Sequence, residues 1–441
     1  MRITFIRPSM FGEPALDVMM PLIFTVIRPL TPPEIQIDFY DERARKLPED
    51  IPAPVIAMTV ETFAARRAYQ LADRFRMEGK TVIMGGFHPS MMPQECLQHA
   101  DAIIIGDAED TWPSMLQDLA AGRLKQQYES HGDFSLADTK YDYSVLQHKY
   151  YRMIGLAQFC RGCKFSCDFC SIHAFYPDGI RLRNLENVID DISNLRQKYL
   201  FFADDNLFSN ADKAAELVRA LKPLKKKWVC QISMDAANNP DLLKSMRASG
   251  CIMVLIGFES LNINNLKQMG KGANIACGDY EKIIRNIYDA GLMIYGTFII
   301  GYDSDTKDTA KILMDFAMKH KFAVANFNPL MAMPGTPLYK RLDSEGRLVR
   351  RFWWIDDGYR YGDAMLVPAG MTVQEFVESC RKARYEFHSV RGILRRITNC
   401  KANSRSLSNL IIFLGAGVIS GREVRFKQGR KLGVANENNT H

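Results

Sequence analysis

Four of the ten cysteines fall within eleven positions, Cys160-Arg-Gly-Cys163-Lys-Phe-Ser-Cys167-Asp-Phe-Cys170. Thiols at such spacing in a reducing compartment point to a metal or a cluster rather than to disulfides. Two ligand sets fit. As two Cys-x2-Cys pairs, four thiolates would hold zinc, yet only Lys164-Phe-Ser166 separates the pairs. Structural zinc usually has a dozen or more residues there, so tetrahedral closure would be strained. As Cys163-x3-Cys167-x2-Cys170, three thiolates hold three irons of a [4Fe-4S] cube and leave the fourth iron open to another ligand. Cys160 then reads as a small buried residue beside the loop. The six remaining cysteines are scattered singly and read as small apolar core residues.

The elements that must position these residues are legible from periodicity. Residues 1–135 alternate β-like runs (Ile3–Ile6, Ile35–Tyr40, Val55–Val60, Thr81–Met84, Ala102–Ile105) with helical patterns such as Ala64–Phe75 and Asp110–Leu119. Strands interleaved with helices predict a parallel sheet covered on both faces, with ligands outside the carboxyl ends of its strands. The residues landing there are Thr59, Thr62, Gly85, Gly86, His88, Gly106 and Glu109. Residues 136–153 read as a linker. From 154 to 345 the alternation resumes with strand-like runs Ile154–Phe159, Tyr199–Ala203, Trp228–Ser233, Met253–Gly257, Ile294–Ile300 and Val324–Phe327. Six βα units make a partial barrel, too few for a closed eight-fold one. Residues 346–441 read as a helical segment with a basic tail, opening on the aromatic loop that carries Trp353, Trp354, Tyr359 and Tyr361. Those rings read as core packing or as the roof of a cavity.

A chain of 441 residues suggests two or three domains. With 47% hydrophobic and 24% charged residues, large-scale disorder and low-complexity architecture are excluded. The longest apolar run, Leu410–Ile419, falls below the ~20 residues of a membrane span, and the N-terminus carries no secretory pattern. The expected location is cytoplasmic. The net charge of +7 is uneven: thirteen Lys/Arg face three Asp/Glu from residue 381 onward, a local +10 that leaves −3 for the rest. Such a tail suits a membrane surface, a nucleic acid or an acidic substrate, or is simply a solvated helical face.

The cysteine triplet after the first strand of a partial barrel resembles the radical S-adenosylmethionine (radical SAM) superfamily, across residues 154–345. Phe169 stands where the family carries a residue against the adenine. Phe201-Phe-Ala-Asp204-Asp205-Asn206 resembles the second-strand segment, with the two aspartates in place of the usual Gly-Gly-Glu. Gly257-Phe-Glu259-Ser260 resembles the fourth-strand motif, and Gly296-Thr-Phe-Ile-Ile-Gly301 the adenine-side strand. The resemblance implies a [4Fe-4S] cluster on Cys163, Cys167 and Cys170, and SAM beside Phe169, Asp204, Asp205, Glu259 and Gly301. In the family, SAM chelates the open iron and an electron from the cluster cleaves its sulfonium bond, giving methionine and a 5′-deoxyadenosyl radical.

A flavodoxin-like domain ahead of such a barrel resembles the cobalamin-binding branch of the superfamily. That implies cobalamin near Thr59, Thr62, Gly85, Gly86, His88, Gly106 and Glu109. Some cobalamin proteins carry Asp-x-His-x-x-Gly after the first strand; here Arg7-Pro-Ser-Met-Phe-Gly-Glu-Pro14 has no histidine. His88 reads better as a hydrogen-bonded turn residue than as a cobalt ligand. The implied function is methyl transfer to an unactivated carbon of a small-molecule or lipid-like substrate, with a flavodoxin- or ferredoxin-type electron donor and no nucleic acid. Two alternatives stand: a radical cyclase, rearrangement or carbon–sulfur bond-forming enzyme on a non-cobalamin scaffold, and a membrane- or nucleic-acid-surface binder with a structural cluster.

Overall fold

The apolar runs form two six-stranded, all-parallel sheets in a computed structural model that describes residues 1–16, 18–147, 149–177 and 179–435. Residues 436–441, the end of the basic tail, lie outside the described residues. The chain divides into two compact units. Unit 1 comprises residues 1–152, 352–361 and 430 onward; unit 2 comprises 153–351 and 362–429.

The strands of unit 1 are β1 (Arg2–Arg7), β2 (Gln36–Asp41), β3 (Val55–Thr59), β4 (Thr81–Gly85), β5 (Ala102–Ile105) and β6 (Gln127–Glu129), in the order β2-β1-β3-β4-β5-β6. The first five reproduce the flavodoxin-like order, whose switch point opens between β1 and β3. Their buried, β-branched centres (Ile3, Val55, Ile56, Val82, Ile83, Ile103) suit a sheet covered on both faces. Three short 3-10 turns, Leu136–Asp138, Tyr143–Leu146 and Lys149–Tyr151, belong to this unit: Asp142 donates its backbone N–H to the Thr25 carbonyl, and the Tyr151 hydroxyl donates to Asp41 at 2.9 Å. The aromatic loop also belongs here. Trp353 and Trp354 are fully buried, Trp353 against Phe63, and Trp354 Nε1 donates to Glu95 at 2.8 Å.

Unit 2 holds β7 (Ile154–Ala157), the two-residue antiparallel pair β8 (Cys160–Arg161) and β9 (Arg181–Leu182), then β10 (Tyr199–Phe202), β11 (Lys227–Ile232), β12 (Cys251–Glu259), β13 (Met293–Ile300) and β14 (Val324–Pro329). The parallel sheet runs β14-β13-β12-β11-β10-β7, an open partial barrel. The helix Pro337–Ser344 follows, and then three more: Val373–Phe387, started by a Thr372/Glu375 capping box, then Val390–Arg396 and Leu407–Lys427. The last two cover the amino ends of the strands, where Ile393, Ala402 and Phe413 join Ile252, Met253, Met293 and Ala323 in one cluster. Arg396 is fully buried at this end and donates to the carbonyls of Phe322, Ala323, Phe387 and Gly392.

The expectation that the apolar run 410–419 is too short to span a membrane is corrected. The run lies inside a 21-residue helix that is long and apolar enough by length and composition, because flanking Leu407 and the small residues Gly421 and Ser420 continue it. Its Gly417 and Gly421 lie against Ile393 and His388 of the neighbouring helices, so one side is packed within unit 2.

Candidate active site

The cysteine loop is held from below by the two aspartates at the end of β10. Buried Asp204 accepts from the backbone N–H groups of Phe159 and Cys160 at 3.1 and 2.5 Å, and Asp205 accepts from Gly162 N–H at 3.0 Å. Burial pushes the Asp204 carboxyl up to about 7 and raises Asp205 as well. Both acceptors are therefore spent on the loop backbone. Gly162 has φ +85°, and a Cβ there would lie 2.0 Å from the Gly179 carbonyl oxygen, so this turn admits only glycine. Cys160 is buried, with its thiol donating to the Asn206 carbonyl at 3.6 Å.

From that anchored start the loop carries Cys163, Cys167 and Cys170, all free thiols, the last at the N-cap of the helix Ser171–Phe175. The three sense one another. Burial pushes Cys167 up to about 11 and raises Cys170, and both feel the Cys163 thiol and the Lys271 cation. Between them, Asp168 ties the loop to the barrel: its carboxylate accepts from the Tyr302 hydroxyl at 2.5 Å, and its backbone bonds Met269 and Leu338.

The carboxyl end of β12 supplies the opposing wall. A register shift between Gly257 and Glu259, with Glu259 at φ +60°, turns that carboxylate inward. It pairs with Lys271 Nζ at 2.9 Å, and both side chains are largely buried. Burial alone would lower Lys271, but Glu259 and the nearby thiols outweigh it and raise its pKa. The same ammonium sits 5.6 Å from the Phe169 ring centre, a cation–π contact. A Cβ on Gly257 would meet Glu259 Oε1 at 2.1 Å, so a side chain there would displace that carboxylate. Gly301, at the end of β13, sits with φ +123° against Phe376 and donates to Asp305, whose buried carboxyl rises to about 6. The fold thus brings Phe169, Glu259 and the cysteines together and sets Asp204 and Asp205 behind the loop. Lys271 and Asn206 were not singled out in the sequence. The available signals were Gly270-Lys-Gly272, in which Gly270 abuts Cys167, and the last residue of the Asp-Asp-Asn run.

In unit 1, Thr59, Gly85, Gly86 and Gly106 all lie at the carboxyl ends of β3, β4 and β5. Ser90 joins two of these loops, its hydroxyl donating to the Gly86 carbonyl and accepting from Gly106 N–H, each at 2.9 Å. Glu109 is buried in the first turn of the helix Ala108–Ala120. His88 is fully buried: Nε2 meets the Tyr69 hydroxyl at 2.9 Å and Glu95 at 3.2 Å, while Nδ1 meets Thr62 at 3.3 Å. Both ring nitrogens face protein partners. Burial opposes ionisation of Glu95, but donation by His88, Tyr69 and Trp354 holds its carboxyl below the usual range.

The donor chemistry fits the implied groups unevenly. Among the described residues, no three His, Cys, Asp or Glu side chains close on a single ion. Three thiols on one loop, with Cys160 turned to the Asn206 carbonyl, suit a cluster with an open corner. Buried Asn206 places Nδ2 3.9 Å from Cys163 Sγ and leaves Oδ1 without a hydrogen-bond partner, an acceptor suited to an ammonium group. The strand-end loops of unit 1 fit a ligand held through backbone and hydroxyl groups, not one held by a histidine–metal bond.

Comparison with known proteins agrees with this geometry. Residues 158–317 match the family model of the radical SAM superfamily. The chain is 31% identical to bacteriochlorophyllide d C-8(2)-methyltransferase of Chlorobaculum tepidum, covering 88% of each chain. It is 29% identical to the C-12(1)-methyltransferase of the same organism over 86% of this chain and 85% of that one. Among solved structures, the radical SAM methyltransferase TsrM of Kitasatospora setae, with cobalamin and a [4Fe-4S] cluster bound, shares the fold. The TM-score is 0.63 over 79% of each chain, at 16% identity. Three thiols on the loop after the first barrel strand, and a relative matched through both units, lead to one assignment: the chain belongs to the radical SAM superfamily.

Proposed function

We propose that the protein is a cobalamin-dependent radical SAM methyltransferase acting on an unactivated carbon of a small-molecule or lipid-like substrate. The observation that carries this reading is that the likeness to two carbon methyltransferases spans both units rather than the barrel alone. When bound, the cluster and SAM supply radical chemistry and cobalamin supplies methyl transfer, while the protein positions them and excludes water.

Cys163, Cys167 and Cys170 would hold the cluster. Phe169, Asn206, Glu259, Lys271 and Gly301 would line SAM. Asp204 and Asp205 act one step back, fixing the loop that presents the thiols. Lys271 offsets the negative charge that thiolates bring into a buried site. In unit 1, Thr59, Gly85, Gly86, Gly106 and Glu109 would line the corrin, with Thr62 and His88 bracing the β4 loop from within. The wider reading includes a flavodoxin- or ferredoxin-type electron donor, a cytoplasmic location consistent with free thiols, and contact of the basic C-terminal segment with a membrane surface.

The test is anaerobic reconstitution with iron, sulfide and hydroxocobalamin, followed by reduction with SAM labelled in its methyl group and a bacteriochlorophyllide as trial substrate. The reading expects retained corrin, methionine and 5′-deoxyadenosine from one SAM, and S-adenosylhomocysteine from another. A sample that retains no corrin, or that cleaves SAM without ever forming S-adenosylhomocysteine, overturns methyl transfer and favours another radical outcome.

A further inference from the structure

The last two helices of unit 2 expose an apolar face with a basic rim. On Leu407–Lys427, Leu407, Ile411, Leu414 and Val418 follow one another at spacings of three and four, so they form a single line along the helix. Leu407 is 74% and Ile411 61% exposed, and on the neighbouring helix Val390 is 75% and Leu394 58% exposed. An adjoining side of Leu407–Lys427 is spent on packing: Asn409, Phe413, Gly417 and Gly421 are buried, and Gly417 lies against Ile393. The exposed line ends in Arg422 and Arg425, while Arg391 and Arg395 flank Val390 and Leu394. All four arginines are exposed and have no ion-pair partner among the described residues. Glu423, the acidic residue on the long helix, is paired with Lys427.

We infer that this face docks on an anionic lipid surface, with the helix Leu407–Lys427 lying in the plane of the interface. The inference deepens the membrane contact proposed above and does not depend on the radical chemistry. A helix with one side packed on its own barrel cannot be surrounded by lipid, so it lies on a bilayer rather than crossing it. Charge decides the occupant. The rim is all positive, which complements anionic headgroups, whereas a second copy would bring the same charge against itself. Docking here also sets orientation. These helices cover the amino ends of β12 to β14, and the cysteine loop stands at the carboxyl ends of the strands. The cluster end of the barrel would therefore face away from the lipid.

The test uses full-length reconstituted protein in co-sedimentation with vesicles of equimolar phosphatidylglycerol and phosphatidylcholine, and with phosphatidylcholine alone. Wild type should bind the anionic vesicles and release them as salt rises. Ile411→Glu with Val418→Glu should weaken binding at least about tenfold. Removing the arginines as Arg391→Gln, Arg395→Gln, Arg422→Gln and Arg425→Gln should cost about fivefold per charge and flatten the salt dependence. Val390→Glu with Leu394→Glu provides the apolar test on a second helix should the first pair fail to fold. If wild type binds and every variant binds equally, this face is wrong although a membrane contact stands. If wild type binds neither vesicle, both ideas fall. If the variants leave vesicle binding untouched but convert a dimer to a monomer, the face is a self-association surface and the lipid assignment is overturned.

Discussion

Replacing Lys271 with methionine tests the wall opposite the cysteine loop. At the observed 2.9 Å, and with an effective dielectric of about 20, the Lys271–Glu259 attraction is roughly 6 kcal/mol before desolvation. Most of that is returned as the cost of burying both charges, so the pair adds little net stability. Breaking it is another matter, because Glu259 remains buried, inward and unpaired. Such losses run at about 3–5 kcal/mol, and the partial exposure of Lys271 argues for the low end, about 3 kcal/mol. For a body the size of unit 2, at about 2–4 °C per kcal/mol, thermal unfolding should fall by roughly 6–12 °C. Glu259→Gln combined with Lys271→Met should recover more than half of this, since neither charge is then stranded. The assay is anaerobic thermal unfolding of the reconstituted protein, with bound iron measured in parallel. Iron content should also drop in the single variant, as the thiols lose their nearby cation. A Lys271→Met protein that unfolds within about 1 °C of wild type, or single losses that simply add in the double variant, would refute the argument.

Asp204→Asn should cut cluster content severalfold while leaving the protein folded, because the amide offers one acceptor where two loop N–H groups are now satisfied; iron and sulfide analysis reads the outcome. Cys160→Ser should retain iron and SAM cleavage, whereas serine at Cys163, Cys167 or Cys170 should abolish both, as electron paramagnetic resonance and product analysis would show. His88→Gln should retain hydroxocobalamin yet destabilise unit 1 by about 1–3 kcal/mol through unpaired partners around Tyr69 and Glu95, read by corrin absorbance and unfolding. His388 gives the pH dependence: burial, with Arg396 and Arg425 nearby, lowers its pKa from 6.5 to about 4. Between those values the unfolded state binds the extra proton, so stability is full above pH 6.5 and is lost toward pH 4, by up to about 3 kcal/mol. That slope should be absent from the unfolding curves of His388→Gln.

Much of this architecture was legible because alternation and helical spacing leave strong marks on buried strands. Ala102–Ile105 falls where its periodicity puts it, and each of the six barrel strands overlaps its apolar run. The strand Gln127–Glu129 was not legible, since a three-residue edge strand with one buried side chain has no period to read. The C-terminal helix was underestimated because small and polar residues around its apolar run hide a continuous helix. In the site, the thiols were visible from spacing alone. The anchoring role of Asp204 and Asp205 was not, because a strand-end aspartate looks the same whether it faces a ligand or a backbone. Lys271 lies twelve residues beyond Glu259, and only the register shift in β12 brings the two side chains together.

Unit 1 is not finished when its six strands have been synthesised. Trp353 and Trp354, both fully buried in it, arrive about two hundred residues later, and Arg430, which pairs with Glu13 at 2.6 Å, arrives later still. At about 5–20 residues per second, the nascent domain waits roughly 10–40 s for its tryptophans, with an apolar surface uncovered meanwhile. Expression of residues 1–152 alone would freeze that waiting state, and a stop codon before Arg430 would leave Glu13 buried without its cation. Heterologous production therefore depends on chaperone supply and an intact C-terminus as much as on iron and sulfide.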